Sequence, residues 1–284
     1  MQLFTPVALP PAPFRLTPVS RVLTLGSCFA QHIGQHIAAA LPDGHALVNP
    51  FGPLYAPQVI AHHLRLLLDT APLPEATYFE GVEGMWHNRW FSTHVSSAEF
   101  ATCRRLTTDA LSAARDLLRC ADVLVLTLGT DRCYRLPDGR LVANCHKQPA
   151  ATFTEHAADV ETLTSDLRRT LDSLRARRPE LQVVWTVSPY RYAKYGLHAS
   201  QLAKARLLLA VDALCATDER SVYFPAYELL LDELRDYRYY ARDLLHPSDT
   251  AVELIGERFA DWCFAPALHT FARERARLLR AHQH

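Results

Sequence analysis

Short apolar runs rich in β-branched residues alternate along the chain with longer stretches whose apolar positions recur every three or four residues. That rhythm predicts strands alternating with helices around a parallel sheet. Val22-Leu23-Thr24-Leu25 stops on Gly26-Ser27 and then turns helical, predicting a strand, a tight turn and a helix over 29–41 that ends at Pro42-Asp43-Gly44. His45 to Val48, Asp122 to Leu128, Leu181 to Val187 and Val222 to Phe224 read as the other strands. The Val-Leu-Val-Leu run at 123–126 is apolar enough to be buried on both faces. Helices are predicted over 57–69, 98–119, 154–178, 197–215, 226–234 and 249–262, the last capped by Ser248 or Asp249. Residues 267–284 read as a terminal helix.

Two segments break the rhythm. Residues 71–97 hold Thr77-Tyr78-Phe79 and the aromatic run from Met85 to Phe91, and read as a β-hairpin or lid. A second hairpin turns on Pro137-Asp138-Gly139 and delivers Asn144, Cys145, His146 and Lys147. The proline-rich start reads as an arm on the surface. The expected division is an arm over 1–20, an α/β domain over 21–264 and a helical extension over 265–284.

A chain of 284 residues, 49% of them hydrophobic, buries a sizeable core. Thirty basic and thirty acidic residues give a net charge of zero, so no global field recruits nucleic acid or an anionic membrane. Seven cysteines without a Cys-x-x-Cys argue against a disulfide framework and a cysteine zinc site, and suit a reducing compartment. With no signal-peptide-like or membrane-spanning stretch, the cytoplasm is the expected location. His32 and His36 share a helix face, but no third ligand is placed to complete a metal site. Glycine-rich nucleotide motifs are absent, so neither metal nor cofactor is expected.

The candidate chemistry sits at the two ends of the domain. Ser27 stands at the carboxyl end of a strand and the amino end of a helix, where open α/β sheets place ligands and free N–H groups stabilise an anion. A serine nucleophile needs a base and a carboxylate to orient that base. Asp243-Leu244-Leu245-His246 supplies both from one turn of backbone. Cys28 is an alternative nucleophile, and Asn144 is either an amide donor to the substrate or the cap of its own turn. Arg191, at a strand's carboxyl end, is placed to bind an anionic group or to pair with Asp131. His146 and Lys147 are placed to hold a polar substrate group. Trp86, with the other aromatics of the hairpin, either offers a flat ring for a sugar face or an acyl group or covers the core.

Gly26-Ser27-Cys28-Phe29-Ala30 together with Asp243-x-x-His246 resembles the layout of the SGNH (GDSL-type) hydrolases, and the first motif spells the signature of the GSCFA family. Asn49-Pro50-Phe51-Gly52, Leu128-Gly129-Thr130, Val142 to Lys147, Val187-Ser188-Pro189 and the run from Asp232 to Asp249 are similar to that family as well. The resemblance covers most of residues 20 to 262. It implies a three-layer α/β/α sandwich of flavodoxin-like order with about five parallel strands and inserted hairpins. It also implies a Ser27, His246 and Asp243 acyl-enzyme mechanism on O-acyl esters, O-acetyl foremost, of a small molecule or carbohydrate. Gly52 is then an oxyanion donor beside the Ser27 N–H, unless it is only a turn glycine. Common SGNH enzymes carry Gly-x-Asn where this chain has Gly129-Thr130-Asp131, and a carboxylate there repels a developing negative charge. Hydrolase, O-acyltransferase and a catalytically silent glycan- or partner-binding module stay open at this level, as does the oligomeric state.

Overall fold

The computed structural model describes residues 5–281, so the first four residues of the expected arm and the last three of the expected terminal helix lie outside the described residues. β1 (Val22–Gly26) leads through Ser27 into α1 (Cys28–Ala40) and β2 (Ala46–Val48). α2 (Pro57–Leu68) is followed by the hairpin β3 (Tyr78–Glu80) and β4 (Trp86–Asn88), α3 (Phe100–Cys120) and β5 (Val123–Leu128). An antiparallel insert of β6 (Arg132–Arg135), β7 (Leu141–Val142) and β8 (Thr154–Ala157) precedes α4 (Val160–Arg177). β9 (Gln182–Val187), α5 (Leu197–Cys215), β10 (Ser221–Tyr223), the short α6 (Ala226–Glu228), α7 (Asp249–Cys263) and α8 (Pro266–Ala281) follow.

The five strands of the main sheet run parallel in the order β2-β1-β5-β9-β10, the flavodoxin-like arrangement expected from the sequence. Both faces are covered, which is why these strands are apolar without alternation. Leu23, Leu25, Leu124, Leu126 and Trp185 pack against α2, α3, α4 and α5, whereas Val22, Val123, Val125 and Val184 pack against α1, α7 and α8. The chain reverses its direction of travel across the sheet between β1 and β5, and at such a switch point the flanking loops part to leave a crevice. Ser27 and Gly129 stand on its two sides.

The structure departs from expectation at three places. The helix predicted from 154 begins only at Val160, because Thr154–Ala157 pair with β6 and Asp159 caps α4 by accepting the Thr162 N–H at 2.7 Å. Residues 226–234 are helical but widen into a π turn over Leu229–Glu233. The described part of the arm is docked rather than lying free: Leu16 is buried and exchanges backbone hydrogen bonds with the end of α7, and the Trp262 indole donates to Pro10 O at 2.6 Å. Among the described residues no helix is long and apolar enough to cross a membrane.

Candidate active site

At the end of β1 the backbone of Gly26 has φ +146°, and a Cβ there would lie 2.3 Å from Thr127 O, so only glycine lets β1 and β5 close at this corner. Asn49, just past β2, clamps the turn from the other side. Its Oδ1 accepts the Gly26 N–H at 2.9 Å and its amide donates to Ser27 O at 3.2 Å. Ser27 occupies the N-cap of α1 yet makes no side-chain capping bond. An N-cap serine ordinarily spends its oxygen on an N–H of the first turn. Here Oγ has no hydrogen-bond partner among the described residues, in a residue only 1% exposed, and so is left free to react.

The Asp243–His246 loop is organised by Asp243 itself. Oδ1 accepts the N–H groups of Leu245 (2.9 Å) and His246 (3.0 Å), and Oδ2 bonds His246 Nδ1 at 2.5 Å. These bonds, the one from His246 first, hold the Asp243 pKa down to about 2. A carboxylate only accepts, so Nδ1 carries the proton and Nε2 is left with the lone pair of a base. The imidazole lies against Tyr190, ring centroids 4.2 Å apart. Arg191 braces the loop from outside, its N–H donating to Leu245 O at 3.0 Å and its guanidinium to Leu244 O at 3.4 Å.

Ser27 and His246 line one cavity of about 290 Å³ at the switch point. Asn144 lines it too, and its Oδ1 is already taken by the His146 N–H (2.8 Å) and the Thr93 hydroxyl (3.3 Å), so the amide NH2 is the end left for an acceptor. The Ser27 N–H, by contrast, is donated to Thr127 O at 3.1 Å. The N–H of Cys28, the first residue of α1, is among those the helix cannot satisfy itself.

Five sequence expectations are corrected. Gly52 is a turn glycine outside the cavity: its N–H goes to Asn49 O at 2.8 Å, and a Cβ at its φ of +76° would strike Ser92. Arg191 meets neither cavity nor Asp131, because the Asp243–His246 loop engages it. His146 is buried away from the cavity, its ring 4.6 Å from that of His87, and burial pushes its pKa down to about 4. Trp86 packs on Phe100 with centroids 4.9 Å apart and does not reach the cavity. Asp131, expected to oppose an oxyanion, is fully buried beside α5, where Arg206 pairs with it at 2.6 Å.

Sequence reasoning passed over Tyr55, Tyr134, Tyr190 and Tyr192, which wall the cavity. It also missed Lys204, whose buried ammonium donates to Gly129 O and Ser188 O, both at 2.7 Å, and so ties together the loops after β5 and β9. Burial lowers its pKa to about 7. The signal was there, since Lys204 falls on the same α5 face as the buried Ala203, Leu207 and Val211.

A carbohydrate esterase of family 3 from Talaromyces cellulolyticus has 10% identity and a TM-score of 0.41, the match covering 90% of this chain and 99% of that one. An acetyl esterase mutant solved with an acetate ion has the same identity, coverage and score. An acetyl xylan esterase from the rumen bacterium Butyrivibrio proteoclasticus has 13% identity and a TM-score of 0.37, covering 86% of this chain and 63% of that one. No curated protein sequence matches this chain. The model of the GSCFA family matches residues 21–259, from the strand before Ser27 through the His246 loop and most of α7. The chain belongs to the GSCFA family.

Proposed function

We propose that this protein is a serine esterase that cleaves O-acyl esters, those of carbohydrates among them, through an acyl-enzyme. The observation that carries the reading is a buried, unpartnered Ser27 Oγ sharing a cavity with a histidine whose other nitrogen is locked to a carboxylate. Ser27 Oγ attacks the ester carbonyl carbon while His246 Nε2 takes its proton. The tetrahedral intermediate collapses, the carbon–oxygen bond to the alcohol breaks, and His246 returns the proton to the leaving oxygen. Water then repeats the sequence on the acyl-enzyme and frees the acid. Asp243 keeps the imidazole in the required tautomer and offsets the charge of its cation. The Cys28 N–H and the Asn144 amide serve the oxyanion, in place of the Ser27 and Gly52 N–H groups.

Three observations support this over its rivals. Burial pushes the Cys28 thiol pKa up, and a protonated thiol is a poor nucleophile. The His246 side chain is 46% exposed, which gives water access to the base and favours hydrolysis over transfer to another alcohol. The argument for a silent binding module loses its basis once Arg206 neutralises Asp131. The test is intact mass after incubation with a fluorophosphonate, on wild type, Ser27→Ala and Cys28→Ala. One adduct on wild type and Cys28→Ala but not on Ser27→Ala is expected; a folded wild type that takes no adduct sinks the reading.

A further inference from the structure

The two catalytic side chains of the cavity differ in exposure, and the difference orients a substrate. His246 must hand its proton to the alcohol oxygen, and its side chain is 46% exposed, whereas Ser27 is 1% exposed. The alcohol therefore leaves at the solvent side, and the acyl group points the other way, into the cavity. The buried part of the lining is largely apolar: Ala56 just before α2, Val59 on it, Cys133 on β6 and Val142 on β7, with Ala143 and Cys145 half-buried beside them. Burial raises the pKa of both Cys133 and Cys145, which keeps them neutral thiols.

Arg132 is the cation on this wall, and its charge is spent. It pairs with Glu155 at 2.7 Å, lies 3.9 Å from an Asp131 oxygen, and stacks 4.1 Å over the Tyr195 ring. An acyl group bearing a carboxylate finds no unpaired cation there. Size points the same way. An apolar cavity of about 150 Å³ holds a benzene, and the whole of this one, the space beside His246 included, is about 290 Å³, more than the acetyl group of an ester fills.

From this we infer that the apolar part of the cavity away from His246 is an acyl pocket for an uncharged acyl group of about four to eight carbons, the alcohol lying on the His246 side. The inference rests on the serine-esterase reading and replaces acetyl with a larger apolar group as its preferred cargo.

The experiment measures kcat/KM for p-nitrophenyl esters from acetyl to dodecanoyl on the full chain, alongside fluorophosphonate labelling. Each methylene that enters the pocket is expected to raise kcat/KM about fourfold, so hexanoyl exceeds acetyl by about two orders of magnitude and dodecanoyl falls back. Ala143→Phe and Cys145→Phe, which fill the wall, are expected to put acetyl above hexanoyl. If neither variant folds, the wild-type profile decides alone. Acetyl preferred by wild type, or a flat profile, with Ser27 still labelled, overturns the acyl pocket and leaves the esterase reading standing. No turnover at any length and no label on Ser27 overturn the esterase reading, and the inference falls with it.

Discussion

Ser27 is held by main-chain geometry in the interior of the sheet, whereas His246 is held by one carboxylate on a half-exposed loop. The serine corner depends on a glycine that tolerates no side chain and on a buried asparagine clamp, so its position is fixed by the same packing that makes the fold. The histidine loop depends on three hydrogen bonds to Asp243 and on Arg191 bracing it from behind. Damage to the corner should therefore cost stability, and damage to the loop should cost activity alone.

The largest effects are expected on turnover. Ser27→Ala or His246→Ala should reduce ester cleavage by about 10⁴-fold or more. Ser27→Ala should leave Tm no lower than wild type, since it removes a buried hydroxyl that has no partner; a Tm several degrees down would contradict the geometry. Asp243→Asn should lower kcat by up to about 10⁴-fold through loss of the imidazole tautomer. Its Tm should stay near wild type, and a large fall there would break the contrast between loop and corner.

Gly26→Ala comes next, with a stability loss of about 4 kcal/mol or more from forcing a Cβ onto Thr127 O, read from urea or thermal unfolding. Near-wild-type stability would mean that β1 and β5 part easily. Asn49→Ala should cost about 1–3 kcal/mol by leaving the Gly26 N–H unpaired, and should lower kcat because the serine turn loosens. Loss of stability with unchanged kcat would separate the clamp from the chemistry.

The smallest effect is on pH dependence. Burial lowers the pKa of His62 to about 3 and of His146 to about 4 from an ordinary 6.5. Both are neutral in the fold and take up a proton on unfolding below 6.5. Their contribution to stability is thus fully present above pH 6.5 and drains away as pH falls toward 4. Asp243, held at about 2, stays ionised over that whole window. Tm should fall between pH 6.5 and 4 more steeply for wild type than for His62→Phe, which keeps a ring against Trp90. Parallel curves would exclude His62 as a source of the acid sensitivity.

Much of this architecture was written in local pattern. The five apolar runs became the five parallel strands, because a strand buried on both faces must be apolar throughout. Gly26-Ser27 and Asp243-x-x-His246 are legible as local motifs as well, although Asn49 and Arg191 complete the two turns from elsewhere in the chain. Their meeting across one cavity is a property of the strand order, which the family resemblance implied and the alternation of strands and helices alone did not.

What the sequence left undetermined depends on partners distant along the chain. Asp131 looked hostile to an oxyanion until α5 supplied Arg206, 75 residues on. Arg191, His146 and Trp86 looked available, but their partners come from the His246 loop, β4 and α3. Thr154–Ala157 read as helix because the competing edge of β6 is visible only in three dimensions. Residue type and spacing determine which groups are able to react. Burial and pairing in the tertiary structure decide which of them are left free to do so, because a polar group once satisfied by a neighbour is no longer offered to a ligand.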